Sequence, residues 1–413
     1  MTARRTLSKY WMLTNDFAQD PYPTLEYVRR ERPVCEVGMP NGGRAWVITR
    51  YADAKAAFAD PRLSRDINVH YALMSKQLGR TVTPPPEQAN HLANLEPPLH
   101  TKLRRAISFA FTPKRAEAMR PRIAELADEL LDRMTGTSTV DMIARFADPL
   151  PVMTIAELLG APTSVWPDFL RWSNALRDFS PLDDAAGELD RNVAELSEYM
   201  NALIDEKRRQ PGEDLLSALI HADPERQLDG MEVLSTGFAL MSGGNDTTAS
   251  LLGGIIHTLL THDRQRTDLV SRPDRWGAAM EELIRFVTPT HNALHRVTTE
   301  EVEIGGVVIP PGEVVIISFL GTNRDTEQFP DRPEELDLCR PRPAHLSFGS
   351  GIHYCSGAHL AKVISEVGAR RFFERFPGAR LAVPTAQLKY QQTILVRSLV
   401  SLPVHLESTS EER

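Results

Sequence analysis

Cysteine is scarce, with three in 413 residues, too few to knit a disulfide framework. That scarcity fits a reducing, cytoplasmic compartment and leaves one thiol free to do chemistry. Long apolar runs are missing too. The least polar stretch, 233–260, is broken by Asn245, Asp246 and His257, and nothing approaches the ~18 uninterrupted apolar residues of a membrane span. The basic start, M-T-A-R-R-T-L-S-K-Y-W, has no apolar stretch behind it, so no targeting segment is expected. There is no G-x-G-x-x-G dinucleotide unit and no iron–sulfur cysteine set, so electrons for any redox chemistry must come from separate proteins. Positive charge is not in excess. The 47 Lys and Arg against 55 Asp and Glu leave a net −8, which argues against a chain-wide nucleic-acid role.

What is present is a globular composition, 42% hydrophobic and 25% charged, with no internal repeat. The expected class is mainly α with small β-sheets (α+β), in a chain too long for one ordinary compact domain and marginal for two or three. A short β-rich N-terminal part carries a strand at 44–50 and a helix at 51–59, ended by Asp60-Pro61. Residues 66–95 read as a long irregular loop. Helical patterns follow at 99–110, 113–134, 140–160, 164–180, 188–209, 213–221, 229–262 and 272–287. The 229–262 helix would span ~50 Å. Apolar around most of its circumference, it should run through the core. A hairpin and strand are expected at 301–319, an irregular meander at 320–352, a helix at 357–375, and strands around a turn at 390–406.

One cysteine has chemical surroundings. Phe348 to Gly357 reads F-G-S-G-I-H-Y-C-S-G. Gly349 and Gly351 permit a tight loop, and Cys355 closes it just before a helix. A helix N-terminus and its free N–H groups favour a thiolate, and a thiolate is a good soft ligand for iron. Cys35 reads as a small buried hydrophobe, and Cys339 has no catalytic role.

The pattern F-G-x-G-x-H-x-C-x-G resembles the haem-binding loop of the cytochromes P-450. The likeness runs from Asp20–Pro23 (D-P-Y-P) to Leu402–Val404 (L-P-V). Three further motifs match in order. Glu282-Leu283-Ile284-Arg285 is an E-x-x-R, which in that family is buried with a meander arginine, here Arg340, and holds the cysteine loop in place. Ser242–Thr248, S-G-G-N-D-T-T, interrupts the long helix with two glycines that cost ~1 kcal/mol each. Thr247 can bond back to the preceding turn, and the segment matches the family's oxygen-activation motif through Gly243, Gly244, Asn245, Asp246 and Thr247. Glu96–Arg105, E-P-P-L-H-T-K-L-R-R, puts His100 and Arg104 on one helix face where the family binds the haem propionates. Arg296 and His353 match two more propionate partners. Departures are small; Ser356 stands where leucine is frequent, next to the sulfur.

The resemblance implies a single domain over 1–413, with flexible ends at about 1–15 and 406–413, and haem b between the long central helix and the cysteine loop. Cys355 would be the axial thiolate, and Asp246 and Thr247 would supply protons. The activity would be insertion of one oxygen atom from O2 into a small hydrophobic molecule, by hydroxylation or epoxidation, of the kind that tailors macrolides and other polyketides. A separate ferredoxin and ferredoxin reductase would deliver electrons to a cytoplasmic monomer with no nucleic-acid or membrane partner. Residues 96–122 carry a net +5 and residues 340–371 a net +4, a candidate docking face for an acidic ferredoxin that includes Lys102, Arg105 and Lys362. Substrate contacts are expected from the 66–95 loop, from 166–182 with Trp166, Phe169, Trp172 and Phe179, and from Leu240, Gly244, Asn292, Leu294, Leu395 and Val396. The alternatives are a peroxygenase, which the Asp246-Thr247 pair argues against, or a non-catalytic haem-binding module. A zinc site drawn from Cys339, His345, His353, Cys355 and His359 has unsuitable spacing.

Overall fold

In the computed structural model, residues 7–39, 43–84, 89–177, 186–223, 227–341 and 344–407 are described; Phe179 lies outside them. Helices build the large core. Ile123, Leu126 and Leu130 of the helix Arg120–Asp132 meet Val363, Phe372 and Phe373 of the helix Ala358–Arg375, and Leu252, Ile255 and Ile256 of the helix Asp246–Thr261 complete the centre. Ile123, Leu126 and Leu130, and likewise Leu252, Ile255 and Ile256, recur at three- and four-residue spacing, so these helices turn one face to the shared core. No helix among the described residues is long and apolar enough to cross a membrane.

The β structure is small. Strands β1 (Val34–Gly38), β2 (Arg44–Ile48), β3 (Leu63–Ser64), β5 (Arg296–Thr298) and β8 (Val314–Ile317) form a five-stranded sheet in the order β1-β2-β8-β5-β3. Here β4 is Thr139–Asp141, and β6 (Val302–Ile304) and β7 (Val307–Ile309) make the expected hairpin. Its turn uses Gly305 and Gly306, both at positive φ. The sheet fixes the buried Arg296 opposite Val315.

Several expectations are corrected. The N-terminal part is helical before it is β: Thr14 caps Asn15–Gln19, and Tyr22–Glu31 follows. Trp11 and Met12 are buried, so the flexible end does not extend to residue 15. The 66–95 segment contains the helix Ile67–Leu78, started by the Asp66 side chain on the Asn68 N–H and stopped by Gly79 at φ 63°. Those caps were visible in sequence; the mixed Asn, His and Tyr face hid the period. The 140–160 pattern opens with β4 and a π-helical turn, Ile143–Ala147, before the helix Pro149–Leu158. The 390–406 tail forms bridges, Thr290 with Val396 and Tyr390 with Leu399, and one strand, Pro403–His405.

The long central helix is two helices, Gly230–Gly244 and Asp246–Thr261. Asn245 breaks the run at φ −88° and ψ −65°. Gly243 and Gly244 weaken the last turn, and the Thr247 hydroxyl donates to the Gly243 carbonyl at 2.7 Å, taking an acceptor from the helical ladder. The sequence foresaw a loosened turn; the structure makes it a joint.

Candidate active site

The cysteine loop is set by its glycines. Gly349 (φ 72°) and Gly351 (φ 74°) adopt backbone that side-chained residues avoid. A Cβ on Gly351 would also stand 3.2 Å from the Phe58 carbonyl oxygen. The Cys355 N–H donates to the Phe348 carbonyl at 2.9 Å, and the helix Ala358–Arg375 begins three residues on. Cys355 is accessible, yet protein surrounds its sulfur closely. Burial raises the thiol above its ordinary pKa, while the Gly357 and Ala358 N–H groups and the Arg104 guanidinium act to lower it. Those donors are the ones a thiolate needs. Arg104 also donates to the Ser356 hydroxyl, so the residue that replaces the usual leucine ties the loop to the helix Leu99–Ser108.

Around this loop lies a set of cationic and imidazole groups with open valences. The His100 and His353 rings stand 4.5 Å apart at 60°. His100 is 3% exposed and its Nε2 is buried without a hydrogen bond among the described residues, while His353 Nε2 stands 3.8 Å from the Glu96 carboxylate, too long for a hydrogen bond. Burial first, then the neighbouring His353 and Arg104, lowers His100 to about 4, so its imidazole is neutral near pH 7. Arg296 is buried with its guanidinium 4.7 Å from the Phe58 ring centroid. Burial lowers it to about 10, with Glu96 opposing, and it still carries its charge at pH 7. Buried donors and a buried cation with no hydrogen-bonded acid are costly unless an anion completes them. The four expected carboxylate partners, His100, Arg104, Arg296 and His353, thus fit a dianionic group beside Cys355. Arg65, which sequence reasoning missed, is spent on structure: it donates to the carbonyls of His295 and Ala93 and to Asn94 Oδ1.

The helix joint supplies open space. A Cβ on Gly243 would meet nothing within 4 Å, and the same holds for Gly357. Gly244 differs from expectation, because its added Cβ would lie 3.2 Å from Ile155 Cδ1. Asp246 and Thr247 sit at the start of the second helix, partly exposed, and the Ser398 hydroxyl is 3.5 Å from Asp246 Oδ1.

The E-x-x-R is buried as expected. Arg285 makes two bonds to the Glu282 carboxylate, at 2.7 and 2.8 Å, and Arg340 adds a third at 3.2 Å. Arg285 further donates to the carbonyls of Asn323 and Pro333, and Arg340 to those of Asp331 and Arg332. The meander is held by its own backbone oxygens.

Of the substrate candidates, 290–292 and 394–396 are brought together. The His291 N–H donates to the Leu395 carbonyl at 2.7 Å, and the Asn292 amide to the Ile394 carbonyl at 2.5 Å. Leu294 and Leu395 are each 40% exposed, whereas Val396 is buried and Leu240 is partly buried against the core. Phe169 and Trp172 are corrected. They pack with Tyr199 at 5.5–5.6 Å and belong to the core. Trp166 donates its indole N–H to the Ala161 carbonyl.

The basic face is also corrected. Lys102 makes two bonds to Glu232, Lys362 one to Glu281, Arg120 pairs with Glu117 and Glu366, and Arg371 with Asp128. Counting along the chain overstated the field, because Glu232, Glu281 and Asp128 come from outside the two counted stretches. His345 Nε2 lies 3.2 Å from Glu281, and no group of three or more His, Cys, Asp or Glu among the described residues is arranged to hold a metal ion. This removes the zinc alternative.

Known proteins place this geometry. The family described as Cytochrome P450 matches residues 277–391. Cytochrome P450 107B1 of Saccharopolyspora erythraea is 40% identical over 394 residues, 94% of this chain and 95% of that one. Mycinamicin IV hydroxylase/epoxidase of Micromonospora griseorubida is 37% identical, over 91% and 93% of the two chains. The solved structure of the Bacillus subtilis bacillaene polyketide synthase cytochrome P450 PksS superposes with a TM-score of 0.88 at 31% identity, over 96% of this chain and 99% of that one. Cysteine loop, buried ion pair and jointed central helix therefore have one explanation: the chain belongs to the cytochrome P450 family of monooxygenases.

Proposed function

We propose that Cys355 would hold the iron of haem b through its thiolate, that His100, Arg104, Arg296 and His353 would hold the two haem carboxylates, and that the oxidised substrate is a mainly hydrophobic small molecule of the macrolide or polyketide kind. The observation that carries this reading is Cys355 itself, an accessible thiol facing the Gly357 and Ala358 N–H groups and Arg104, with the buried His100 Nε2 unpartnered among the described residues alongside. When bound, the haem supplies O2 activation, with electron donation from the thiolate favouring O–O cleavage.

The chain's own residues do the rest. Gly357, Ala358 and Arg104 stabilise negative charge on sulfur. The Thr247 hydroxyl, anchored by donating to Gly243, keeps its lone pairs free to accept a hydrogen bond and orient a water in the open space beside Gly243. Asp246, next in chain, hands protons to that site. Leu294 and Leu395 offer apolar surface beside the tied 290–292 and 394–396 segments. The name of the mycinamicin relative, a hydroxylase/epoxidase, supports hydroxylation or epoxidation here. Electrons come from a separate ferredoxin and its reductase to a cytoplasmic monomer. Because Lys102 and Lys362 are internally paired, the docking charge rests on residues such as Lys114 and Arg115.

The test is a spin-shift titration with macrolactones, fatty acids and terpenoids, followed by turnover of the best binder under 18O2. One 18O atom per product supports the reading. Product whose new oxygen is unlabelled and so comes from water, or tight binding restricted to polar solutes, would overturn it.

A further inference from the structure

A cavity of about 240 Å3 lies behind the second central helix, on the side of Ser250 and His257. The helix Asp246–Thr261 is rich in Leu and Ile, yet Asp246, Ser250, Gly254, His257 and Thr261 recur at i, i+4, i+8, i+11 and i+15. That spacing makes one stripe of polar or small residues along a single face. Thr261 at its outer end is exposed. At its inner end the Ser250 and Ser398 hydroxyls are 2.6 Å apart, and Ser398 is 3.5 Å from Asp246 Oδ1. His257 lines the cavity, and its buried Nε2 has no partner among the described residues. Burial, with Arg397 and His262 adding, lowers it to about 4, so the ring is neutral and can pass a hydrogen bond. Arg397, held by the carbonyls of Ala18 and Gln19, and the buried Asp148 supply charge of both signs on the walls. The lining is otherwise largely apolar, so waters in a space of this size (~30 Å3 each) would be held on the polar edge made by Ser250, His257, Arg397 and Ser398.

We infer that this cavity is the proton inlet of the enzyme: a water file from Thr261 past His257 that ends on the Ser250–Ser398 hydroxyl pair and recharges Asp246. The inference rests on the monooxygenase reading and adds the route. Each turnover consumes one O2, two electrons from the redox partner and two protons, and gives oxygenated product and one water. In each relay event Ser398 gives its proton to the Asp246 carboxylate and takes one from Ser250 or a cavity water. The chain is left unchanged, and one proton has moved inward from solvent.

The test compares wild type, Ser398→Ala and Ser398→Thr as holoenzymes and also reads the cavity directly. Ser398→Ala should turn over about tenfold more slowly, less than the ~10²–10⁴-fold of a lost acid–base group because a cavity water can stand in for the hydroxyl, with an enlarged solvent deuterium isotope effect and an unchanged substrate spin shift. Ser398→Thr, which keeps the hydroxyl, should restore both. A crystal structure should show ordered waters joining His257 Nε2 to Ser398 Oγ. A dry cavity, one filled by an organic molecule, or a Ser398→Ala enzyme with wild-type rate and isotope effect overturns the inlet. A wild type that forms no labelled product points instead to failure of the monooxygenase reading.

Discussion

At the residue scale, the roles proposed for Cys355 and Thr247 and the titration of the buried His291 rest on different surroundings. The proposed thiolate of Cys355 rests on backbone N–H groups and a guanidinium, which form no charge pattern along the chain. Thr247→Ala removes the hydroxyl that bonds Gly243 and orients water. Coupling of electrons to product should fall by about tenfold, measured as product formed per reductant consumed, while the spin shift is retained. Full coupling would remove Thr247 from the proton path. His291 is 1% exposed and lowered to about 3, by burial first and Arg397 second. Its folded pKa lies below the unfolded value of about 6.5. The unfolded chain therefore binds the extra proton first, and stability is lost as pH falls from about 6.5 toward 3. At pH 5 the contribution is roughly 2 kcal/mol. Urea unfolding at pH 7 and pH 5 should show the loss, and His291→Gln, if it folds, should flatten it.

At the element scale, the joint at Asn245 and the buried ion pair decide whether a site exists. Gly243→Ala adds a methyl into open space and removes a poor helix former, so the fold should gain up to ~1 kcal/mol. The same methyl should narrow the space beside the cysteine loop and weaken binding of bulky substrates. Thermal melts and spin-shift titrations of one variant read both effects. Glu282→Ala strips two buried arginines of their carboxylate. It should cost on the order of 3–5 kcal/mol and loosen the meander, seen as a lower Tm and poor haem retention. The motifs around these elements were legible because they are local: F-G-x-G-x-H-x-C-x-G lies in ten residues and E-x-x-R in four. The joint was half legible, since Gly-Gly and Thr247 announce a weak turn but not which residue breaks it. The Ile67–Leu78 helix was missed although Asp66 and Gly79 bracket it, because its exposed mixed face lacks a period.

At the scale of the whole molecule, sequence counting failed where partners are far apart. The basic stretches 96–122 and 340–371 meet Glu232, Glu281 and Asp128 only after folding. The aromatic cluster at 166–172 looked like a pocket lining and is core, because Tyr199 arrives from another helix. Ser398 comes 148 residues after Ser250 and could not be linked to it by spacing. With the paired lysines discounted, Lys114→Glu with Arg115→Glu should slow reduction by an acidic ferredoxin at low salt, with the difference vanishing as salt rises. Stopped-flow reduction at two ionic strengths checks this, and equal rates at low salt would place docking elsewhere. The most direct measurement of the central claim is the spectrum of the reduced protein with carbon monoxide, in wild type and Cys355→Ser. Thiolate ligation by Cys355 predicts a strongly red-shifted Soret band in the wild type and its loss in the variant. An unshifted band in the wild type, or a shifted band that survives the substitution, would contradict it.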